Sequence, residues 1–206
     1  GGALGNRSRR ALLPALLLAG ASALAVPPPP EQFAANCESP TYASDMLVCG
    51  DPSLRALDAR MREAWAAVDL AAAVAPGAWV EGQQDWYKRR SLCAFSERHA
   101  ECLQDAYVER IAVLEAMRVI ASHPARQGTA AVCRDAPWGV AGVRLRAPAT
   151  GALAIEDGEA RVLATATPLQ PGGAWTPHVG FTVDGASIRL VRMSWPTITC
   201  APDDKR

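Results

Sequence analysis

The sequence predicts an α+β protein built as two units: a disulfide-stapled helical hairpin or three-helix domain, followed by a small antiparallel β domain. Three observations lead to this class. The chain has six cysteines behind an export-type N-terminus, its first half shows helical periodicity, and its last third has β-prone runs around Asp-Gly pairs. We expect the helical domain over residues 37–120, a linker over 121–131 and the β domain over 132–202.

The N-terminus has the parts of a secretory signal peptide. Arg7, Arg9 and Arg10 precede an apolar run over 11–25 that ends in the small residues of a cleavage site. The run is shorter than the ~20 residues of a membrane-spanning helix. We therefore expect a signal peptide over 1–25, no stable membrane span after its cleavage, and a periplasmic or extracellular protein. The adjacent arginines leave twin-arginine export open beside the general route, and residues 26–36 form a Pro-rich spacer.

Composition excludes two broad classes. The 21 basic and 21 acidic residues give no net charge, so the chain lacks the cationic field of a nucleic-acid-binding protein. Half of the residues are hydrophobic and 20% are charged, which is typical of a globular protein and not of a disordered one. Residues 26–128 carry 10 basic and 14 acidic residues, so acidity is confined to the first part of the exported chain.

The cysteines have no C-x-x-C spacing and no Cys/His spacing of a zinc site, so disulfides are expected. They are Cys37, Cys49, Cys93, Cys102, Cys133 and Cys200. Fifteen pairings are possible. We expect the last two to pair with each other, because they bracket the C-terminal third. Among the first four the connectivity stays open. Local closure is favoured, since a corner at 94–100 would bring Cys93 within disulfide reach of Cys102 and leave Cys37 for Cys49.

The first predicted helix begins after Asp51. Its carboxylate suits the N-cap, and Pro52 suits the first helical position because it has no amide to lose. An apolar stripe at helical period then follows, formed by Leu54, Leu57, Met61, Trp65 and Val68. The Pro-Gly pair at 76–77 predicts the end of this helix.

Two further helices are predicted before the linker. The second starts near Trp79 and buries Trp86 and Leu92, and the third runs over about 102–117. Short connections favour antiparallel neighbours.

The last third predicts four to six antiparallel strands. Asp157-Gly158 and Asp184-Gly185 are typical hairpin turns between β-prone runs. The predicted strands cover 143–146, 161–167, 179–183 and 187–193. A Cys133–Cys200 disulfide would tie the ends of this domain together.

The spacing of the helical domain carries a more specific pattern. It consists of C-x11-C-x-D-P-x-L-x-x-L-D from Cys37, then Q-x-x-W-x-x-x-R-x-x-C from Gln83, then C-L-x-x-x-Y-x-x-R-I-x-x-L from Cys102. This pattern resembles the lysozyme inhibitor LprI-like N-terminal domain family, a secreted four-cysteine helical family, over roughly residues 37–118. Trp65 stands where members of that family more often have Tyr. The resemblance implies inhibition of lysozyme, a cationic muramidase, by protein–protein contact in the bacterial cell envelope.

Six polar or aromatic residues of this pattern are candidate functional residues, in either a structural or a partner-facing role. They are Asp58, Gln83, Trp86, Arg90, Tyr107 and Arg110. Asp58 lies four residues before Arg62, which predicts a local ion pair. A cross-helix tie from Asp58 to Arg90 or Arg110 is the alternative.

Catalytic signatures are missing from the sequence. It contains no G-x-S-x-G, Walker, dinucleotide-binding or H-E-x-x-H motif, and His99, His123 and His178 are isolated. Glu156 is expected at a solvated hairpin tip with ordinary acidity. We therefore expect a binding protein with no catalytic residues, metal or cofactor. The alternative to lysozyme inhibition is an envelope adaptor whose β domain binds a glycan or peptide.

Overall fold

The computed structural model describes residues 1–2, 32–122, 128–139, 142–147 and 151–203. The chain divides into two compact units, Gly1–Pro30 and Glu31–Arg206. The predicted signal peptide over 1–25, most of the spacer over 26–36, and His123 in the predicted linker lie outside the described residues. The described helices and strands lie in the second unit.

Helices make up the N-terminal half of this unit. They are α1 Ala43–Gly50, α2 Pro52–Ala66, α3 Leu70–Ala73, α4 Gln83–Ser91 and α5 His99–Ser122, with a 3-10 helix at Leu92–Phe95. The predicted start of α2 is confirmed, because Asp51 Oδ1 accepts the backbone N–H groups of Ser53 at 2.8 Å and Leu54 at 3.2 Å. The helix ends at Ala66, well before the predicted Pro-Gly stop.

The second and third predicted helices differ in their bounds. Trp79, where the second helix was predicted to start, belongs to a strand, and α4 begins only at Gln83. Leu92 was predicted to be buried but is 61% exposed. α5 begins at His99 and continues to Ser122, beyond both predicted ends.

Eight strands in the described part of the chain form one sheet. They are β1 Val74–Trp79, β2 Thr129–Arg134, β3 Val143–Arg146, β4 Leu153–Glu156, β5 Val162–Pro168, β6 Gly180–Asp184, β7 Ser187–Val191 and β8 Ile198–Pro202. The strand order is β1-β5-β4-β3-β2-β8-β7-β6, and β6 returns to pair with β5. Strands β2 to β8 therefore close into a seven-stranded barrel. The edge of β5 opposite β4 is shared, because β1 pairs in parallel with its first part and β6 with its last.

The predicted fold class was wrong. A helical domain followed by a small antiparallel β domain is replaced by a closed barrel with helices packed against it. One strand of the sheet, β1, comes from the part of the chain that was assigned to helices. Its Pro76-Gly77 pair lies inside the strand, where the register with β5 is irregular and Gly77 has a φ of +73°. A signal interpreted as a helix stop was therefore a strand irregularity.

Helix α5 joins the two parts of this unit. One side of it packs in a helical core with Leu54, Met61 and Trp86. Its C-terminal half packs on β4 and β5, in a cluster formed by Val113, Ala116, Met117, Ile120, Ala152, Ala154 and Val162. A helix that is apolar on two sides must pack against two partners. For α5 these are the helical core on one side and strands β4 and β5 on the other.

The structure contains the three favoured disulfides, Cys37–Cys49, Cys93–Cys102 and Cys133–Cys200. The Cys93–Cys102 bridge closes the corner between the 3-10 helix and α5, as expected. Cys133 on β2 and Cys200 on β8 face each other in register, so this bridge links the first and last barrel strands. Such bonds are consistent with export to an oxidising compartment. Among the described residues, no helix is long and apolar enough to cross a bilayer.

Candidate functional site

The six candidate residues of the cysteine pattern all lie in the interior, each less than 8% exposed. Asp58 on α2 accepts a hydrogen bond from the Tyr107 hydroxyl at 2.8 Å and pairs with Arg62 Nε at 2.7 Å. The local pair is therefore present. The cross-helix tie is present as well, but its partner is Tyr107 on α5, and the predicted arginine partners were wrong.

Arg90 pairs instead with Asp45 of α1, a residue that the sequence analysis missed. The Nη2–Oδ1 distance is 2.6 Å and both side chains have no solvent exposure. The guanidinium carbon of Arg90 lies 4.6 Å from the ring centre of Tyr87, whose hydroxyl donates to the other Asp45 oxygen at 2.6 Å. Burial, with Asp45 as a second cause, raises the pKa of Tyr87 above its usual range. This pair ties α1 to α4.

Arg110 and Gln83 form the third interior link. Arg110 Nε donates to Gln83 Oε1 at 2.8 Å, and its Nη1 donates to the carbonyl of Glu81 at 2.9 Å. Burial lowers the pKa of Arg110 to about 10. Trp86 also has a structural contact, since its Nε1 donates to the carbonyl of Ala106 at 3.3 Å. The six residues connect helices, and their side chains are buried.

A row of three acids on α5 runs from the surface inward: Glu101 is exposed, Asp105 is half-buried and Glu109 is buried. Glu101, Asp105 and Glu109 are spaced four apart on α5 and therefore share one face of the helix. They meet the loop between β5 and β6, residues 169–179, which we call the β5–β6 loop. Asp105 accepts the backbone N–H of Ala174, and Glu109 accepts the indole N–H of Trp175. This acidic row was available in the sequence as i, i+4, i+8 spacing.

Further bonds hold the β5–β6 loop. Glu109 Oε1 accepts the backbone N–H of His178 at 3.0 Å, and Arg98 Nη2 donates to the carbonyl of Gly172 at 2.8 Å. Arg89 donates to the carbonyl of Thr176 at 2.7 Å, and its guanidinium carbon lies 3.9 Å from the Trp175 ring centre. Side chains of α4, of α5 and of the residue before α5 therefore all bond to this loop.

Arg89 also forms ion pairs with two buried acids. It binds both carboxylate oxygens of Glu81 at 2.7 Å and contacts Glu109 at 3.3 Å. Burial nevertheless raises the pKa of Glu109 above its ordinary value. The Glu109 carboxylate therefore has its ion-pair and hydrogen-bond partners within the protein, and its role is structural.

Between α5 and the β5–β6 loop lies a groove of about 520 Å³. Its walls are partly apolar, from Val108, Ala112, Pro168, Pro171, Trp175 and Pro177. Asp105 gives it negative charge, together with Glu101, which pairs with Arg98 at 3.0 Å. Asp105 forms no ion pair with any of the described residues, and burial together with Glu101 raises its pKa. We call this the acidic groove.

The buried acid at the end of β4 corrects another expectation. Glu156 is not at a solvated tip: it has no exposure and pairs with Arg146 at 2.9 Å. Burial raises its pKa despite this partner. The hairpin turn itself follows at Asp157, as the Asp-Gly pair predicted.

The described histidines have structural contacts. His99 Nε2 lies 3.0 Å from Ser44 Oγ, but Ser44 is fully buried and donates to the carbonyl of Ser91. A serine without solvent access is not placed as a nucleophile. Within the described part of the chain, no group of three His, Cys, Asp or Glu side chains is arranged to hold a metal ion.

His178 predicts a measurable pH dependence. Burial is the main cause that lowers its pKa in the fold, so the unfolded state binds a proton at a higher pH than the folded state. Its contribution to stability is lost as the pH falls below ~6.5. We expect His178→Gln to flatten the fall in unfolding free energy between about pH 7 and pH 5, by at most ~1.4 kcal/mol per pH unit. Urea unfolding across this range tests it, and parallel wild-type and variant curves would contradict it.

The residues thus separate into an interior network, which carries the cysteine pattern, and a surface groove, which does not. The expected family rests on the sequence pattern alone, because no family model, curated protein or solved structure matches the chain.

Proposed function

We propose that this chain is an exported cell-envelope binding protein that inhibits lysozyme by protein–protein contact. The acidic groove is the observation that carries the proposal. It places Glu101 and Asp105 beside apolar walls, next to a loop that is bonded to Glu109 of α5 and to Arg98 just before that helix. The cysteine pattern supports lysozyme as the partner, and the groove supports a cationic partner independently of that pattern.

The groove suits an inserted side chain. A space of about 520 Å³ fits one or two residues of a partner, and its charge favours Arg or Lys. The carboxylates would steer a cationic protein toward the surface and would lose effect as salt screens them. Because the β5–β6 loop is already fixed, little ordering entropy would be lost on binding.

A cell-wall lysis assay tests this function. We expect the exported protein to slow lysis by lysozyme at micromolar concentrations. Glu101→Gln/Asp105→Asn should weaken inhibition by about tenfold, equivalent to ~1.4 kcal/mol, and both amides preserve side-chain size. No inhibition at tens of micromolar would overturn the proposal. Lysis by the protein alone would instead indicate a wall-degrading enzyme.

A further inference from the structure

A second surface lies at the end of the barrel where β1 stops. Trp79 is 2% exposed and packs edge-on against Trp138 and Trp195, with ring centres 5.9 Å and 5.8 Å away. Trp138 follows β2 and Trp195 follows β7, so three separate segments supply the rings. Trp195 is 51% exposed, which leaves much of a large aromatic side chain open to solvent.

Arg192 adds an unpaired cation to these rings. Its guanidinium carbon lies 5.1 Å from the ring centre of Trp195 and 5.5 Å from that of Trp79. None of the described carboxylates forms an ion pair with it. Stacking occupies the face of a guanidinium and leaves its N–H edge available to an acceptor.

The turn between β7 and β8 holds Arg192 and Trp195 side by side. The backbone N–H of Trp195 donates to the backbone carbonyl of Arg192 at 3.1 Å, and Ser194 between them has a φ of +64°. A serine rarely adopts this left-handed region, because its Cβ lies too close to the backbone there. Pro196 follows and restricts the exit of the turn. A strained backbone that keeps a tryptophan exposed is a feature associated with ligand sites.

We propose that Trp195 and Arg192 form a binding site for acidic saccharides, in which a sugar ring stacks on the indole and its carboxylate pairs with the guanidinium. A pyranose has a face of C–H groups that packs on an aromatic ring. The carboxylate of an acidic pyranose can accept two parallel hydrogen bonds from the edge of an arginine guanidinium. A purely apolar ligand would leave Arg192 without an acceptor. This site is independent of the acidic groove and extends beyond lysozyme inhibition.

Calorimetric titration of the exported protein tests the site, with a short oligogalacturonate and a neutral glucan oligomer of equal length as probes. We expect the acidic oligomer to bind more tightly. Trp195→Ala should weaken its binding by at least about tenfold. Arg192→Gln should reduce the affinity for the acidic oligomer to that for the neutral one.

Met193→Ala is the matched control, because Met193 is another large apolar side chain of the same turn and is 77% exposed. It should leave binding unchanged. The proposal is overturned if neither oligomer binds, if Arg192→Gln has no effect, or if Met193→Ala weakens binding as much as Trp195→Ala. Glu101→Gln/Asp105→Asn should retain saccharide binding, so failure of one site is distinguishable from failure of the other.

Discussion

Replacement of Asp45 by Ala is expected to lower the free energy of unfolding by about 3–5 kcal/mol. Asp45 and Arg90 are both fully buried, and their 2.6 Å contact is the ion pair between α1 and α4. Without the carboxylate, the guanidinium stays in the interior with no counter-charge, and the Tyr87 hydroxyl keeps only Gln32 Oε1 as an acceptor. Urea unfolding of the variant and the wild type measures the difference.

Two further variants show whether burial is the cause. Asp45→Asn/Arg90→Met removes both charges and should recover more than half of the loss, since the cost comes from an isolated charge. Glu101→Ala removes a half-exposed partner of Arg98 and should cost less than ~1 kcal/mol. An Asp45→Ala variant no less stable than Glu101→Ala would contradict the structure of this network.

Removal of the Cys133–Cys200 bridge is expected to lower the free energy of unfolding by about 4 kcal/mol. The bridge closes a separation of 67 residues, and the entropy that a disulfide removes from the unfolded chain grows with loop length. It also links the two strands that meet at the β2–β8 seam of the barrel. We expect Cys133→Ala/Cys200→Ala to unfold at lower urea and to exchange its β2 and β8 amide protons faster.

The Cys37–Cys49 bridge provides the comparison. It spans only 12 residues, so Cys37→Ala/Cys49→Ala should cost less, about 3 kcal/mol. Faster exchange at the β2–β8 seam should not accompany this change. Equal losses in both variants, with no effect on exchange at the seam, would contradict a role for Cys133–Cys200 in closing the barrel.

Local chemistry explains what the sequence could predict. The Asp51 N-cap, the corner closed by Cys93–Cys102 and both Asp-Gly hairpins depend on residues close in sequence. These features have a recognisable spacing. The pairing of Cys133 with Cys200 followed from their position around one β-rich segment.

Barrel closure has no comparable local signal. β2 pairs with β8 and β1 pairs with β5, and both pairings join segments far apart in the chain. β4 is buried at all four positions, so it lacks the alternation that indicates a half-exposed strand. A Pro-Gly pair is compatible with both a helix stop and a strand irregularity. Only the tertiary pairing of the segment shows which of the two Pro76-Gly77 forms.

The candidate site was predicted less well than the helices. The cysteine pattern drew attention to residues that are buried, such as Asp58 and Arg110. The groove is formed where α5 meets the β5–β6 loop, and that contact depends on the barrel. The four-residue spacing of Glu101, Asp105 and Glu109 was visible, but nothing local indicated which segment they would hold.

Calorimetric titration of lysozyme into two charge-matched variants at low salt tests whether the acidic groove receives a cationic partner. Glu101→Gln/Asp105→Asn removes two charges from the acidic groove, and Glu38→Gln/Glu63→Gln removes two from exposed positions outside it. We predict that the groove variant binds about tenfold more weakly than the wild type and the control less than about twofold more weakly. Equal affinity of the wild type and the groove variant would contradict the proposal that this groove receives a cationic partner.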